Sequence, residues 1–354
     1  MVSSIYKIFP GIIFCFVIAY SGIYLSDFIG KEILNLKKSP ISPIMLSIIF
    51  GLLIGNIFHI NNFLLEGIKF SLKFILRLGI ICLGIRLGLL DIFKVGIVGI
   101  PLIVACIIIS ILVVNYLCKL LNVSSKMGSL IAVGTSICGA SAIVATSPAI
   151  NADKEEVAYA IANITIFGII AMFLYPFMAY YLFSGDELAS GLFLGTSIHE
   201  TAQVAAAGLI YDQQFNSPET LNVATVTKLI RNTCLVFLIP LFAYLNNKDQ
   251  INKSAYSILN IFPLFVIGFI GMIFLRNIGD QLFVSASEIS TTWINIISIT
   301  KMATTLFLTM AMSAIGLSIN LSELKNIGVK PFIVGFVVAL AVGIVSISIL
   351  ENFL

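Results

Sequence analysis

Residues Val95 to Cys118 read VGIVGIPLIVACIIISILVVNYLC, 24 residues without a single charge. A helix of about 20 apolar residues crosses the hydrocarbon core of a bilayer, so this run predicts a membrane helix. Phe332 to Leu350 is a second such run, 19 residues long and uncharged. Nine further apolar segments surround these two, at 8–28, 41–58, 68–90, 126–149, 156–183, 187–210, 220–245, 256–275 and 293–320. The joints are short and polar: Lys37-Lys38-Ser39-Pro40, Asn122-Val123-Ser124-Ser125-Lys126, Asn151-Ala152-Asp153-Lys154 and Asn246-Asn247-Lys248-Asp249. They leave no room for a separate soluble domain. The N-terminal run, Ile8 to Leu25, lacks a clear small-residue cleavage site and reads as a first membrane helix, not as a signal peptide.

The whole composition agrees. Of 354 residues, 59% are hydrophobic and 10% are charged, against roughly 25% charged in an average soluble domain. Mean hydropathy is +1.08. This excludes a soluble enzyme, a nucleic-acid binder and a disordered chain. The net charge of +3 is too slight to suggest a polyanion partner. The six cysteines form no CxxC pair and sit in or beside apolar runs, as small hydrophobes do. With only His59 and His199, no His-rich metal site can be built, and no metal or cofactor is expected.

Counting Lys and Arg in alternate joints orients the chain. Lys7, Lys69, Lys119, Lys126, Lys248, Lys253, Lys325 and Lys330 fall on one side, eight in all. Six fall on the other: Lys31, Lys37, Lys38, Lys94, Lys154 and Arg276. The positive-inside rule then puts the N-terminus in the cytoplasm and the C-terminus outside.

Two internal similarities stand out. A shift of 232 aligns Lys69 to Val98 with Lys301 to Lys330, pairing Lys69 with Lys301, Leu76 with Leu308, Gly84 with Gly316, Leu89 with Leu321, Asp91 with Glu323 and Gly96 with Gly328. Eleven spanning segments would place these copies seven apart, hence inverted, which is how many secondary transporters are built. The second similarity is Gly134-Thr135-Ser136-Ile137 with Gly195-Thr196-Ser197-Ile198, each in the middle of an apolar segment. Gly, Thr and Ser propagate helices poorly, so each motif reads either as close helix packing or as a break. A break would expose free backbone groups at membrane depth, tolerated only where they are buried in protein or line a cavity. Whether the broken segments 126–149 and 187–210 span or turn back as hairpins is left open by the sequence.

Ionisable residues inside apolar segments mark candidate sites. These are Arg86, His199, Glu200, Lys228 and Arg231, whereas Lys69, Lys73 and Arg77 near a segment start read as snorkelling. His199-Glu200-Thr201-Ala202-Gln203 approaches the zinc-protease HExxH pattern but fails at Gln203, so no protease or other enzyme is expected. An imidazole can titrate near physiological pH and carry a coupling proton, with Glu200 as its partner. Lys228 and Arg231 are three apart and share a helical face, with Asn232 beside them. Two cations in an apolar segment need partners, and Glu200 and an anionic substrate are the partners that the sequence offers.

GTSICGASAIVATSPAI, the acidic loop DKEEVAYAIA, GTSIHETAQVAAAG and ATVTKLIRN together resemble the YeiH-like family of bacterial inner-membrane proteins, labelled sulfate exporters. The likeness runs from Pro10 to the final helix. It implies an all-α integral membrane protein of ten or eleven segments, with inverted repeats and two broken or re-entrant GTSI segments, similar to the bile-acid-symporter and cation–proton-antiporter folds. Residues 1–354 would form a single transmembrane transporter domain for a small inorganic anion, exported across the plasma membrane with coupling to an ion or proton. The implied substrate-binding residues are Thr135, Ser136, Ser141, Thr196, Ser197, His199, Glu200, Thr201, Gln203, Lys228, Arg231 and Asn232. Half-helix N-termini would add donors for an oxyanion. The expected partners are the anion, membrane lipid and a coupling proton or sodium ion, and a homodimer is left open. The rivals are a sodium-coupled organic-anion symporter, using the GTSI carbonyls with Asn163 or Gln203, a cation–proton antiporter and an anion channel.

Overall fold

The computed structural model describes residues 2–33, 42–58, 60–87, 89–246, 265–283, 287–319 and 328–353. The expectations resting on Lys37 to Pro40, His59, Asn247 to Asp249, Lys253, residues 256–264 and Leu321 to Lys325 lie outside them. Every described element is helical. In chain order these are α1 (Val2–Phe28), α2 (Pro43–Ile57), α3 (Asn62–Phe70), α4 (Leu76–Leu83), α5 (Leu89–Leu121), α6 (Ser125–Ser136), α7 (Ala140–Thr146) and α8 (Lys154–Leu182). There follow α9 (Glu187–Ser197), α10 (Thr201–Phe215), α11 (Pro218–Thr233), α12 (Leu235–Asn246), α13 (Phe265–Phe283), α14 (Ser287–Ser318) and α15 (Val329–Phe353). Seven of the described stretches are long and apolar enough to cross a membrane, and α2 is a shorter apolar helix. The chain is therefore a multi-pass membrane protein. On α5 the stripe Phe93, Ile97, Ile100, Val104, Ile108 and Leu112 is exposed, as lipid contact requires, while Leu102, Ile103, Cys106 and Val114 are buried.

The helices form two compact units, one from Met1–Ile92, Leu209–Pro218 and Leu264–Leu321, the other from Phe93–Gly208, Glu219–Pro263 and Ser322–Leu354. In the first unit, glycines bring backbones together, as membrane helices do in place of a hydrophobic driving force. A Cβ on Gly11 of α1 would stand 2.6 Å from Gly67 Cα of α3, and one on Gly51 of α2 would stand 3.1 Å from Gly316 Cα of α14. Gly84 and Gly316, which the 232-residue shift aligns, each lie against a backbone carbonyl of another helix, Phe269 on α13 and Ile48 on α2.

The second unit contains one half-membrane hairpin and, as far as Gly208, a second. In the first, α6 runs in, breaks at 137–139, and α7 returns. Lys126 Nζ, at the start of α6, donates to Asn151 O beyond the end of α7 at 2.6 Å, so both ends of the segment lie together. Ile143 of α7 packs back on Gly134 of α6. In the second, α9 lies along α11 in the same direction, Gly191 against Val223 and Gly195 against Thr227. The chain breaks at 198–200, and α10 comes back with Gly208 against Leu221. The start of α9 stays beside the start of α11, where Thr220 Oγ1 donates to Glu187 O at 3.3 Å. Helix α8 joins the two hairpins and is itself long enough to span. The ends of the first hairpin lie at its start, and the second hairpin begins beyond its C-terminal end. The hairpins thus enter from opposite ends of α8. Of the readings left open by the sequence, the structure selects hairpins for both GTSI segments.

Candidate functional site

Both hairpins break at the same letter. Helix α6 ends at Ser136 and α9 ends at Ser197, the serines of the two GTSI motifs. The tips come together half-way along α8. There Gly134 of α6 contacts Ile164, Thr165 Oγ1 lies 3.5 Å from Glu200 Oε1, and Gln203 packs on Gly168.

A helix that stops in the middle of a membrane strands its last carbonyl groups, and none can be left bare in a dry interior. Local turns satisfy the first of them: Val133 O accepts from Ile137 N, Gly134 O from Gly139 N, and Leu194 O from Ile198 N. The next ones are satisfied by α11. Arg231 donates from Nε to Ser136 O at 2.5 Å, from Nη1 to Thr196 O at 2.6 Å, Ile198 O at 3.1 Å and Gly195 O at 3.3 Å, and from Nη2 to Thr135 O. Lys228 Nζ donates to Ile137 O at 2.6 Å, to Ile198 O at 2.9 Å and to His199 O. Both side chains are fully buried, with relative exposures of 0% for Lys228 and 1% for Arg231. Their three-residue spacing puts them on one face of α11, where Gly191 and Gly195 let α9 approach closely. The two cations also lie at helix C-termini, where partial negative charge collects. The sequence offered Glu200 and an anion as partners; the hydrogen bonds of the pair go to backbone carbonyls from both hairpins.

Glu200 serves a different terminus. Its carboxylate accepts from Ala140 N–H, the first residue of α7, and from Thr165 Oγ1. Gly139 turns the chain there at φ 75°, and a Cβ at that position would overlap Glu200 Cγ. Glycine is thus required for conformation and for space. The half-helix start that the sequence offered to an oxyanion is therefore faced by a carboxylate. At the start of α10, Gln203 Oε1 accepts from Glu200 N–H at 3.1 Å, and Asn232 Nδ2 donates to Thr201 Oγ1 at 3.0 Å. Thr196 Oγ1 lies 2.8 Å from Ser346 Oγ of α15.

What remains at the crossing is a set of buried polar atoms without hydrogen-bond partners among the described residues. They are the hydroxyls of Thr135, Ser136, Ser197 and Thr227, both imidazole nitrogens of His199, and Asn232 Oδ1. An unmet buried group costs about 1–3 kcal/mol, so several together call for a polar solute or water. Of the expected site residues, the structure gathers Thr135, Ser136, Thr196, Ser197, His199, Glu200, Thr201, Gln203, Lys228, Arg231 and Asn232 around the two breaks. Ser141 instead lies on the exposed face of α7. Arg86 belongs to the first unit, where its Nη1 pairs with Asp212 Oδ2 at 3.5 Å. Thr165 and Thr227 were not found from the sequence. Thr227 could have been, since it precedes Lys228, but nothing in the letters around Thr165 marks it.

The family described as conserved hypothetical protein 698 matches residues 10–335. A UPF0324 membrane protein of Fusobacterium nucleatum is 35% identical over 344 residues, 96% of this chain and 96% of that protein. One from Streptococcus agalactiae is 33% identical over 339 residues, again 96% of each chain. One from Streptococcus pyogenes is 30% identical over 342 residues, 96% of this chain and 95% of that one. The chain belongs to this UPF0324 membrane-protein family, in agreement with the YeiH-like resemblance of its GTSIHETAQ and KLIRN motifs. No solved structure matches it.

Proposed function

We propose that the protein is a secondary transporter of a small inorganic anion, of the sulfate or sulfite class, exported across the bacterial plasma membrane. The observation that carries the reading is the meeting of two opposed hairpins half-way along a spanning helix, with buried polar atoms left unmet at their tips. Secondary transporters place their substrate sites in such broken helices near the bilayer midplane. The sign of the substrate follows from what the crossing still offers. Carbonyl oxygens, which suit a cation, are taken by Lys228 and Arg231. Hydroxyls and an imidazole, which can donate to an oxyanion, are free. Among the described residues, two full positive charges face one negative, Glu200, so the crossing is net cationic.

The hairpins also sharpen the orientation. Because the first one does not cross, Lys154 moves to the N-terminal side, and the Lys and Arg distribution becomes nine against five. Taking two hairpins out of the eleven apolar segments leaves an odd number to cross, which supports a cytoplasmic N-terminus and an outside C-terminus.

Thermal unfolding of purified protein across a panel of inorganic and organic anions tests the proposal. Sulfate or sulfite should raise the unfolding temperature saturably, and proteoliposomes should carry the same anion. A panel in which no inorganic anion stabilises the protein would refute it.

A further inference from the structure

We infer that Lys228 is a tethered cation occupying a monovalent-cation site, and that removing its side chain creates a site for sodium or potassium. The ammonium group is held by the carbonyls of Ile137, Ile198 and His199, one from the first hairpin and two from the second. Those oxygens are stranded by the breaks and converge on one point. Converging backbone carbonyls are what replaces the hydration shell of an alkali ion in a membrane protein, and unwound carbonyls at half-helix ends hold the coupling ions of many secondary transporters. Here the ion at that point is supplied by the chain itself and is fixed to α11. Arg231 occupies the neighbouring carbonyls in the same way. The hairpin tips are therefore bridged by covalently attached charge, and their union needs no alkali ion from solution. A sodium-coupled cycle that assembles and dissolves this carbonyl cluster would have to expel Lys228 in every turnover.

The inference is independent of the anion reading and is tested on folding alone. Lys228→Ala and Lys228→Ser vacate the cluster, whereas Lys228→Met fills the stem's space without charge. Thermal unfolding of the purified proteins is compared in sodium, potassium and choline chloride. The wild type and Lys228→Met should each melt at one temperature whichever salt is used, with Lys228→Met lower than the wild type throughout. Lys228→Ala and Lys228→Ser should melt several degrees higher, saturably, in sodium or potassium than in choline. Equal melting of both small variants in all three salts overturns the inference, as does failure to recover either one folded from a sodium buffer. Wild-type unfolding with added sulfate in choline buffer separates the two readings, because loss of that response defeats the anion proposal and leaves this one standing.

Discussion

Replacing Arg231 with lysine keeps the positive charge and removes the guanidinium fork. In the structure that fork meets the carbonyls of Thr135, Ser136, Gly195, Thr196 and Ile198. Ile198 O keeps its bond from Lys228, and an ammonium group has three N–H donors for the other four carbonyls where guanidinium has five, so at least one of these carbonyls loses its donor. Hydrogen bonds between membrane helices average about 0.6 kcal/mol, and a buried acceptor left unmet costs about 1–3 kcal/mol. One stranded carbonyl therefore costs about 0.6 kcal/mol at the least and about 3 kcal/mol at the most. Against a total stability on the order of 5–15 kcal/mol, either value gives a visible drop in the unfolding temperature. Arg231→Gln keeps only two N–H donors and also loses the charge at two helix C-termini, so it should fall further. The assay is the thermal midpoint of detergent-purified protein for the three sequences, with Arg231→Met as the variant that has no donor at all. An Arg231→Lys protein that melts with the wild type would refute the reasoning, because charge alone would then be sufficient.

Gly139→Ala should reduce the yield of folded protein sharply, since a positive φ of 75° costs an L residue about 1–3 kcal/mol and the new Cβ meets Glu200. Adding Glu200→Ala should recover only the steric part, and full recovery would show that the backbone conformation carries no cost. Under the anion reading, Glu200→Gln leaves the cap of α7 an oxygen acceptor but removes the opposing charge, so sulfate affinity should rise by roughly tenfold, about 1.4 kcal/mol. Unchanged or weaker binding in calorimetry would count against a net cationic crossing. Single cysteines at Asn151 and Ser184, in a background without the six native cysteines, should react with an impermeant thiol reagent from opposite sides of the membrane. Labelling from one side alone would refute the opposed hairpins. A C-terminal reporter that is active only in the cytoplasm should be silent, and a strong signal would reverse the proposed orientation.

The membrane architecture is legible from the sequence because lipid imposes a length on every apolar run. Val95 to Cys118 could be read as a span without any neighbour's help, and the helix is there. The breaks were legible too, because Gly, Thr and Ser together are poor helix propagators and the motif occurs twice. What composition could not say is the direction of the chain after a break. A spanning segment and a hairpin have the same hydropathy. The difference between them is settled by contacts such as Lys126 with Asn151 and Gly134 with Ile143, which are 25 and nine residues apart. Such contacts leave no periodic trace in the letters.

The site was legible in its residues more than in its pairings. Lys228 and Arg231 stood out because ionised groups in an apolar run are costly, and a cost implies a partner. From sequence the only partners that can be counted are side chains, and Glu200 was the one acid within reach. Backbone carbonyls have no letter of their own. They become partners only where a helix stops, and the same GTSI motifs that stop α6 and α9 create the acceptors that these cations meet. The breaks and the basic pair are thus one device. Breaking the helices without Lys228 and Arg231 would strand carbonyls at membrane depth, and burying the pair without the breaks would strand two charges. Glu200 completes it from the other direction by capping α7, so each hairpin tip is held by a group from a different segment. A chain built this way keeps its broken helices joined with internal charges, and the polar atoms left over at the crossing are what the proposed anion would use.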